Sequence, residues 1–134
     1  MKHEFPIEVL ERTSGSHEIP GNSIVLQTYG PTAFDAWMQA IQSAEHYIHF
    51  ENYIIRDDSL GLKFRDLLIS KALEGVQVRV LYDWVGCWAT PGGFWKPLLE
   101  AGAEVNSFNR PSLRDPYAMF QRDHRKLVVV DGTV

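Results

Sequence analysis

Apolar positions along this chain follow two rhythms. Phe34, Trp37, Met38 and Ile41 stand at i, i+3, i+4 and i+7, the spacing of one helical face, and predict a helix from a Thr32 cap to Ala44. Leu60, Phe64, Leu67 and Leu68 repeat the pattern between an Asp58 or Ser59 cap and Gly75. Phe94 to Ala101 reads as a shorter helix stopped by Gly102. Between these lie runs rich in β-branched and aromatic residues: Ser23 to Thr28 (SIVLQT), His46 to Ile55 (HYIHFENYII), Val76 to Tyr82 (VQVRVLY), Ala103 to Phe108 and His124 to Val130. Each reads as a strand. Residues 1–22, with Pro6, Gly15, Pro20 and Gly21, form a polar lead-in holding one short helix from Ile7 to Arg12.

Strand and helix alternate from residue 23 to residue 134. That order predicts an α/β domain with a mixed, mostly parallel sheet flanked by helices, in α-β-α layers. The two long loops, Asp83 to Gly93 and Asn109 to Asp123, follow strands. In such folds the loops at the strands' carboxyl ends collect functional groups.

Composition changes this picture in few places. A chain of 134 residues with 45% hydrophobic and 22% charged residues has room for one packed core. The net charge of -4 weighs against a nonspecific nucleic-acid binder. Yet 5 of the 13 basic residues, Arg110, Arg114, Arg122, Arg125 and Lys126, fall in one short stretch, where they can gather an anion. The single cysteine, Cys87, has no disulfide partner and no companion for a cysteine zinc site, and reads as a small buried side chain. The N-terminus lacks an apolar signal core, and no apolar run reaches about 18 residues. A lipid substrate would then be met peripherally, by a protein in the cytoplasm or on the cytoplasmic membrane surface.

The chemistry concentrates at His124-Arg125-Lys126-Leu127-Val128-Val129-Val130-Asp131-Gly132. Side chains two apart in a strand share a face, so His124 and Lys126 project together. Imidazole beside ammonium makes an anion site that holds a nucleophile or proton carrier, while the ammonium stabilises charge on non-bridging oxygens. Such a phosphodiester site needs no metal or other cofactor if enough cationic donors converge. Asp131 is placed to orient a histidine or lysine. Taken singly, the same residues also fit a solvated strand start and an Asp-Gly turn.

Taken whole, the string matches H-x-K-x(4)-D, the HKD signature of the phospholipase D superfamily. HFENYIIRDD at 49–58, VQVRVLYDWVG at 76–86, EAGAEVNSFN at 100–109 and RDHRKLVVVDG at 122–132 are similar, in order and spacing, to the N-terminal half of bacterial cardiolipin synthases. This resemblance implies a phosphatidyltransferase acting on phospholipids such as phosphatidylglycerol through a phosphohistidine. It also implies the roles: His124 as nucleophile, Lys126 as phosphate-binding lysine, Asp131 as supporting carboxylate. The family uses two such motifs face to face, so a chain with one is expected to be inactive until a second half, or a second copy of itself, supplies the other. The domain is then expected to be truncated just after its first motif.

Other residues carry open readings. Glu51 and Arg125 are candidates for substrate binding, and His49 shares a strand face with Glu51. Asp83 either joins the site or caps the following loop. Trp84, Trp88, Phe94 and Trp95 either plug the core or meet a lipid groove or bilayer. Two other functions fit the motif: a homodimeric phospholipase D-type nuclease, and a noncatalytic module that binds phosphate.

Overall fold

The computed structural model describes residues 6–112 and 120–132. Arg114 and part of the long loop before the motif lie outside them. The elements run α1 (Ile7–Ser14), α2 (Gly30–Gln42), β1 (Tyr47–Asn52), α3 (Ser59–Leu73), β2 (Gln77–Asp83), α4 (Gly92–Glu100), β3 (Glu104–Phe108) and β4 (Lys126–Val130). One sheet orders them β3-β2-β1-β4. β1, β2 and β3 pair in parallel, and β4 pairs antiparallel to β1. The expected α/β class with a mixed, mostly parallel sheet is what the chain adopts.

Strand parity sorts the side chains. Ile48, Phe50, Val78 and Val80 point to one face and are buried there. α3 lays Phe64 against Phe50, with ring centroids 5.5 Å apart. α4 stacks Trp95 on Tyr82 at 4.1 Å. α2 joins through Phe34 and Trp37, each edge-on to Phe64. Two parallel crossovers of the same hand place α3 and α4 on the same side. Among the described residues the helices α2, α3 and α4 therefore form one layer. The other face carries Tyr47, His49, Arg79 and Glu104, with Arg79 and Glu104 in a cross-strand ion pair.

Local sequence explains the element ends. Asp58 caps α3 by accepting the N–H groups of Leu60 and Gly61 at 3.0 and 2.9 Å, an interaction of about 1 kcal/mol. Gly75 follows α3 at φ 92°, a conformation that side chains resist. α2 starts earlier than a Thr32 cap allows. Pro31 sits at its first turn, where the fixed φ preorganises the helix. Thr32 instead donates its hydroxyl to Tyr29 O at 2.7 Å from inside that turn.

One expected strand does not form. Ser23 to Thr28 has no strand partner, and Ile24 is 92% exposed. β propensity needs a neighbouring strand to become structure, and none pairs with this segment among the described residues. The last strand also begins at Lys126 rather than His124, because its pairing with β1 ends at Asn52 opposite Lys126.

Asp131 closes the other end of that pairing. It sits at φ 44° and its carboxylate accepts the backbone N–H groups of Glu45, His46 and Tyr47. Its own N–H donates to Tyr47 O at 3.1 Å. The N–H of Glu45 foremost, then those of Tyr47 and His46, hold the carboxyl below its ordinary value of 3.8. A carboxyl depressed by folding stabilises the chain above its unfolded value and loses that effect as pH falls through the folded one. Asp131→Asn is therefore expected to be less stable than the parent at neutral pH. The gap should narrow below about pH 4. Urea melts at several pH values measure it, and a gap that stays constant into acid would count against the carboxylate as its source.

Candidate active site

The carboxyl ends of β1 and β2 meet the beginning of β4 at one edge of the sheet. There His124 and Lys126 are both exposed, with His124 Nδ1 and Lys126 Nζ 3.3 Å apart. Lys126 Nζ also donates to His124 O at 2.6 Å. The ammonium makes no salt bridge to a carboxylate among the described residues. Its partners are a ring nitrogen and a backbone carbonyl, which an anion can displace. The expected pairing of imidazole and ammonium is thus present as a geometry.

Tyr53, just beyond β1, supports the pair. Its ring lies under the His124 imidazole, with centroids 3.9 Å apart and planes tilted by 31°. Lys126 Nζ stands 5.1 Å from the same ring centroid, a cation–π contact. The loop after β2 fixes Tyr53 from behind. A Cβ on Gly86 would lie 1.9 Å from Tyr53 O, so glycine is required for this approach. Cys87 Sγ accepts the Ile55 N–H at 3.1 Å, and Thr90 donates its hydroxyl to Ile55 O. Cys87 is buried, as its small apolar character suggests, and burial pushes its thiol pKa up.

Asp83 governs both supports. It is 1% exposed at the end of β2. One carboxylate oxygen accepts Gly86 N–H at 2.7 Å; the other accepts Asp123 N–H at 2.9 Å. The first bond shapes the loop under Tyr53, and the second anchors the residue before His124. Both open readings of Asp83 therefore describe one side chain: it caps its loop and positions the motif.

Glu51 and Arg125, the candidates for substrate binding, do not line the groove beside Lys126. Strand parity sends Glu51 to the opposite face, where it pairs with Leu127 rather than Lys126. Arg125 Nε lies 3.1 Å from Asp123 Oδ1 and 3.2 Å from Glu51 Oε1. The contact with Asp123 is a hydrogen bond, whereas the one with Glu51 is a charge contact without hydrogen-bond alignment. Two carboxyl groups thus flank one guanidinium. A hydrogen bond with Asp123, then burial and the Asp123 charge, raise the Glu51 pKa, while Arg125 opposes them. The same hydrogen bond, helped by Arg125, lowers Asp123.

A carboxyl raised by folding binds its proton more tightly in the folded chain, so that contribution weakens as pH rises from the ordinary 4.5 through the folded value. Glu51→Gln, which keeps a neutral donor toward Asp123, is expected to match the parent near pH 4 and to be at least as stable at about pH 8. Denaturant midpoints at the two pH values measure this. A variant clearly weaker at the higher pH would show that Glu51 acts there as an anion.

Asp131 lies at the far end of β4 and touches neither His124 nor Lys126. The expected contact with the pair is not made: the four strand residues Leu127 to Val130 separate it from Lys126, and three backbone amides occupy its carboxylate. His49 stacks on Tyr47 at 5.0 Å on the open face, also away from the pair. The aromatic run after β2 divides. Phe94 and Trp95 are core, whereas Trp88 is 76% exposed. Sequence reasoning passed over Tyr53, Asp123 and Asn52. A signal existed for Tyr53, which ends an aromatic strand whose partner strand begins at the motif. Asp123 offered only its place beside His124.

An apolar groove opens beside the pair, lined by Phe34 and Trp37 of α2, Leu60 and Phe64 of α3, and Ile54, with Asn52 and Lys126 in its polar lining. Among the described residues no cluster of three or more His, Cys, Asp or Glu side chains has metal-binding spacing. No described helix is long and apolar enough to cross a membrane.

Comparison with known proteins bears on this arrangement. Residues 37–134 match the family described as cardiolipin synthase, PLD-like domain. The chain is 44% identical over 108 residues to a cardiolipin synthase of Alkalihalophilus pseudofirmus, covering 80% of this chain and 22% of that protein. It is 45% identical over 112 residues to the major cardiolipin synthase ClsA of Bacillus subtilis, covering 83% and 23%. With a cardiolipin synthase of Geobacillus thermodenitrificans it shares 36% identity over 136 residues, covering 98% and 27%. The chain thus spans about a quarter of the length of the curated relatives it matches. A family match over most of the chain, with the H-x-K-x(4)-D string set at the carboxyl edge of a mixed α/β sheet, shows that this chain belongs to the PLD-like domain family of cardiolipin synthases.

Proposed function

We propose that residues 23–134 form one half of a phosphatidyl-transfer site and that His124 is its nucleophile. The observation that carries this is the His124–Lys126 pair, 3.3 Å apart and exposed at the sheet edge, with an ammonium that no described carboxylate neutralises. Nδ1 of His124 faces Lys126, so Nε2 is the attacking atom. Attack requires the ring proton to sit on Nδ1. Lys126 must then turn from Nδ1 onto the substrate, and the phosphate's negative charge provides the attraction.

Phosphatidylglycerol is the donor lipid. His124 attacks phosphorus, and the phosphorus–oxygen bond to the glycerol headgroup breaks. Glycerol leaves with a proton from a second histidine. A headgroup hydroxyl of another phosphatidylglycerol then attacks the phosphohistidine and returns a proton to that second histidine. The phosphorus–nitrogen bond breaks, and cardiolipin is released. A single His–Lys set cannot be nucleophile and general acid in the same displacement, so one copy of this chain by itself is inactive. The partner is a second motif, from another region of a longer chain or from a second copy across a two-fold axis. The reaction takes place with the protein peripheral to the cytoplasmic membrane surface.

The test supplies the chain with a second motif and follows phosphatidylglycerol vesicles by mass spectrometry. Glycerol is expected in an amount equal to cardiolipin plus phosphatidic acid, the latter a minor hydrolysis product. Cleavage of DNA without lipid turnover would assign the site to a nuclease. Absence of both reactions would reduce it to a phosphate-binding module.

A further inference from the structure

The groove beside Lys126 has properties that phosphoryl chemistry alone does not call for. Its volume is about 310 Å³, within the range of small-ligand sites, roughly 300–1,000 Å³. Its walls are braced: Phe34, Trp37 and Phe64 pack edge-on to one another with centroids 6.2 to 6.5 Å apart, so the shape is held by protein contacts rather than by a ligand. Its polar lining includes Asn52 and Lys126, direct partners across β1 and β4, together with Arg56 and Asp58. There Asn52 Nδ2 is buried and has no hydrogen-bond partner among the described residues. A buried, unpaired donor is unfavourable, and an incoming oxygen relieves it.

We propose that this groove takes an acyl chain of the phospholipid whose phosphate rests on Lys126, with Asn52 donating to a phosphate-proximal oxygen. The inference rests on the phosphatidyl-transfer reading and adds to it where the tail lies. An alkyl chain suits these walls better than a peptide. Asp58 at the rim is engaged in capping α3, and a peptide would bring an amide at every residue to walls that are mainly aromatic and aliphatic. Lys126 and the unpaired Asn52 donor are cross-strand partners, and the aromatic and aliphatic lining beside them is accompanied by one further cation, Arg56.

The experiment measures binding to this chain of dihexanoyl phosphatidylglycerol, kept below its micelle concentration, and of glycerophosphoglycerol, the same headgroup without tails. The variants are Lys126→Gln at the phosphate end, and Ile54→Asp and Phe34→Asp along the groove. Both groove residues are partly exposed, so the buried core is left intact, and thermal melts check this. The tailed lipid is expected to bind at least about tenfold tighter than the headgroup. Ile54→Asp and Phe34→Asp should remove that advantage while leaving headgroup affinity within about twofold, because neither hydrogen-bonds or ion-pairs with Lys126. Lys126→Gln should weaken both ligands. Equal affinity for the two ligands, both dependent on Lys126, would overturn the acyl groove and leave the phosphate site standing. An advantage that survives both groove variants would place the chain elsewhere and overturn the inference as well. Failure of both ligands to bind would overturn the phosphate reading and the groove with it.

Discussion

Replacing His124 by alanine is expected to lower cardiolipin formation by about 10⁴-fold or more when the chain is paired with a second motif. The size of the effect follows from the proposed role. Loss of a covalent nucleophile removes the reaction path, whereas loss of a charge-stabilising group leaves a slower version of it. Lys126→Ala should accordingly cost less, about 10²–10³-fold. Both residues are exposed at the sheet edge. Their removal should change stability by no more than about 0.5 kcal/mol. Initial rates on phosphatidylglycerol vesicles, read beside urea melts of the same preparations, separate chemistry from folding. Activity of the His124 variant within tenfold of the parent would mean that another group attacks phosphorus.

Asp83→Ala should have the largest effect on stability. Asp83 is almost wholly buried and its two oxygens satisfy two backbone donors, Gly86 N–H and Asp123 N–H. Each stranded donor costs about 1–3 kcal/mol, so a loss of roughly 3–4 kcal/mol is expected. The melting temperature should fall by about 10 °C or more. Asp83→Asn keeps one acceptor and should lose about half as much. The site should suffer too. Gly86 packs on Tyr53, Tyr53 underlies His124, and Asp123 immediately precedes His124. One carboxylate thus supports His124 from below, through the Gly86 loop, and through the backbone of the residue before it. Asp83→Asn should therefore lower turnover more than its stability loss explains, at temperatures where it is fully folded. Thermal melts and rates on the same variants measure both effects. An Asp83→Ala chain as stable as the parent would show that loop and motif hold each other without this bridge.

Much of the fold was legible because its local and long-range signals agree. In β2, alternating apolar residues match a strand whose Val78 and Val80 are buried under α3 and α4. In α3, an Asp58 cap, a Leu and Phe stripe and Gly75 all mark the same helix. Ser23 to Thr28 failed for the converse reason: its composition favours a strand, yet no neighbour among the described residues supplies the ladder. Site geometry was legible only where chain proximity sets it. His124 and Lys126 are two apart, so their meeting followed from strand parity. The roles of Arg125, Glu51 and Asp131 depend on which strand pairs with β4 and in which direction. An antiparallel partner puts Asp131 over the first residues of β1 and Arg125 over Glu51. Nothing in a single sequence specifies that register, and the Asp83–Asp123 bond spans 40 residues that only the folded sheet brings together.

The central proposal is that His124 becomes covalently phosphorylated by lipid. The most direct measurement traps that species. The chain, supplied with a second motif, is mixed with short-chain phosphatidylglycerol, quenched in alkali to preserve phosphohistidine, digested and read by mass. A phosphatidyl group on the peptide that contains His124, missing after His124→Ala and reduced after Lys126→Ala, is the expected result. An adduct found on the second motif's histidine while His124 stays unmodified, or no adduct during active turnover, would contradict the assignment of His124 as the nucleophile.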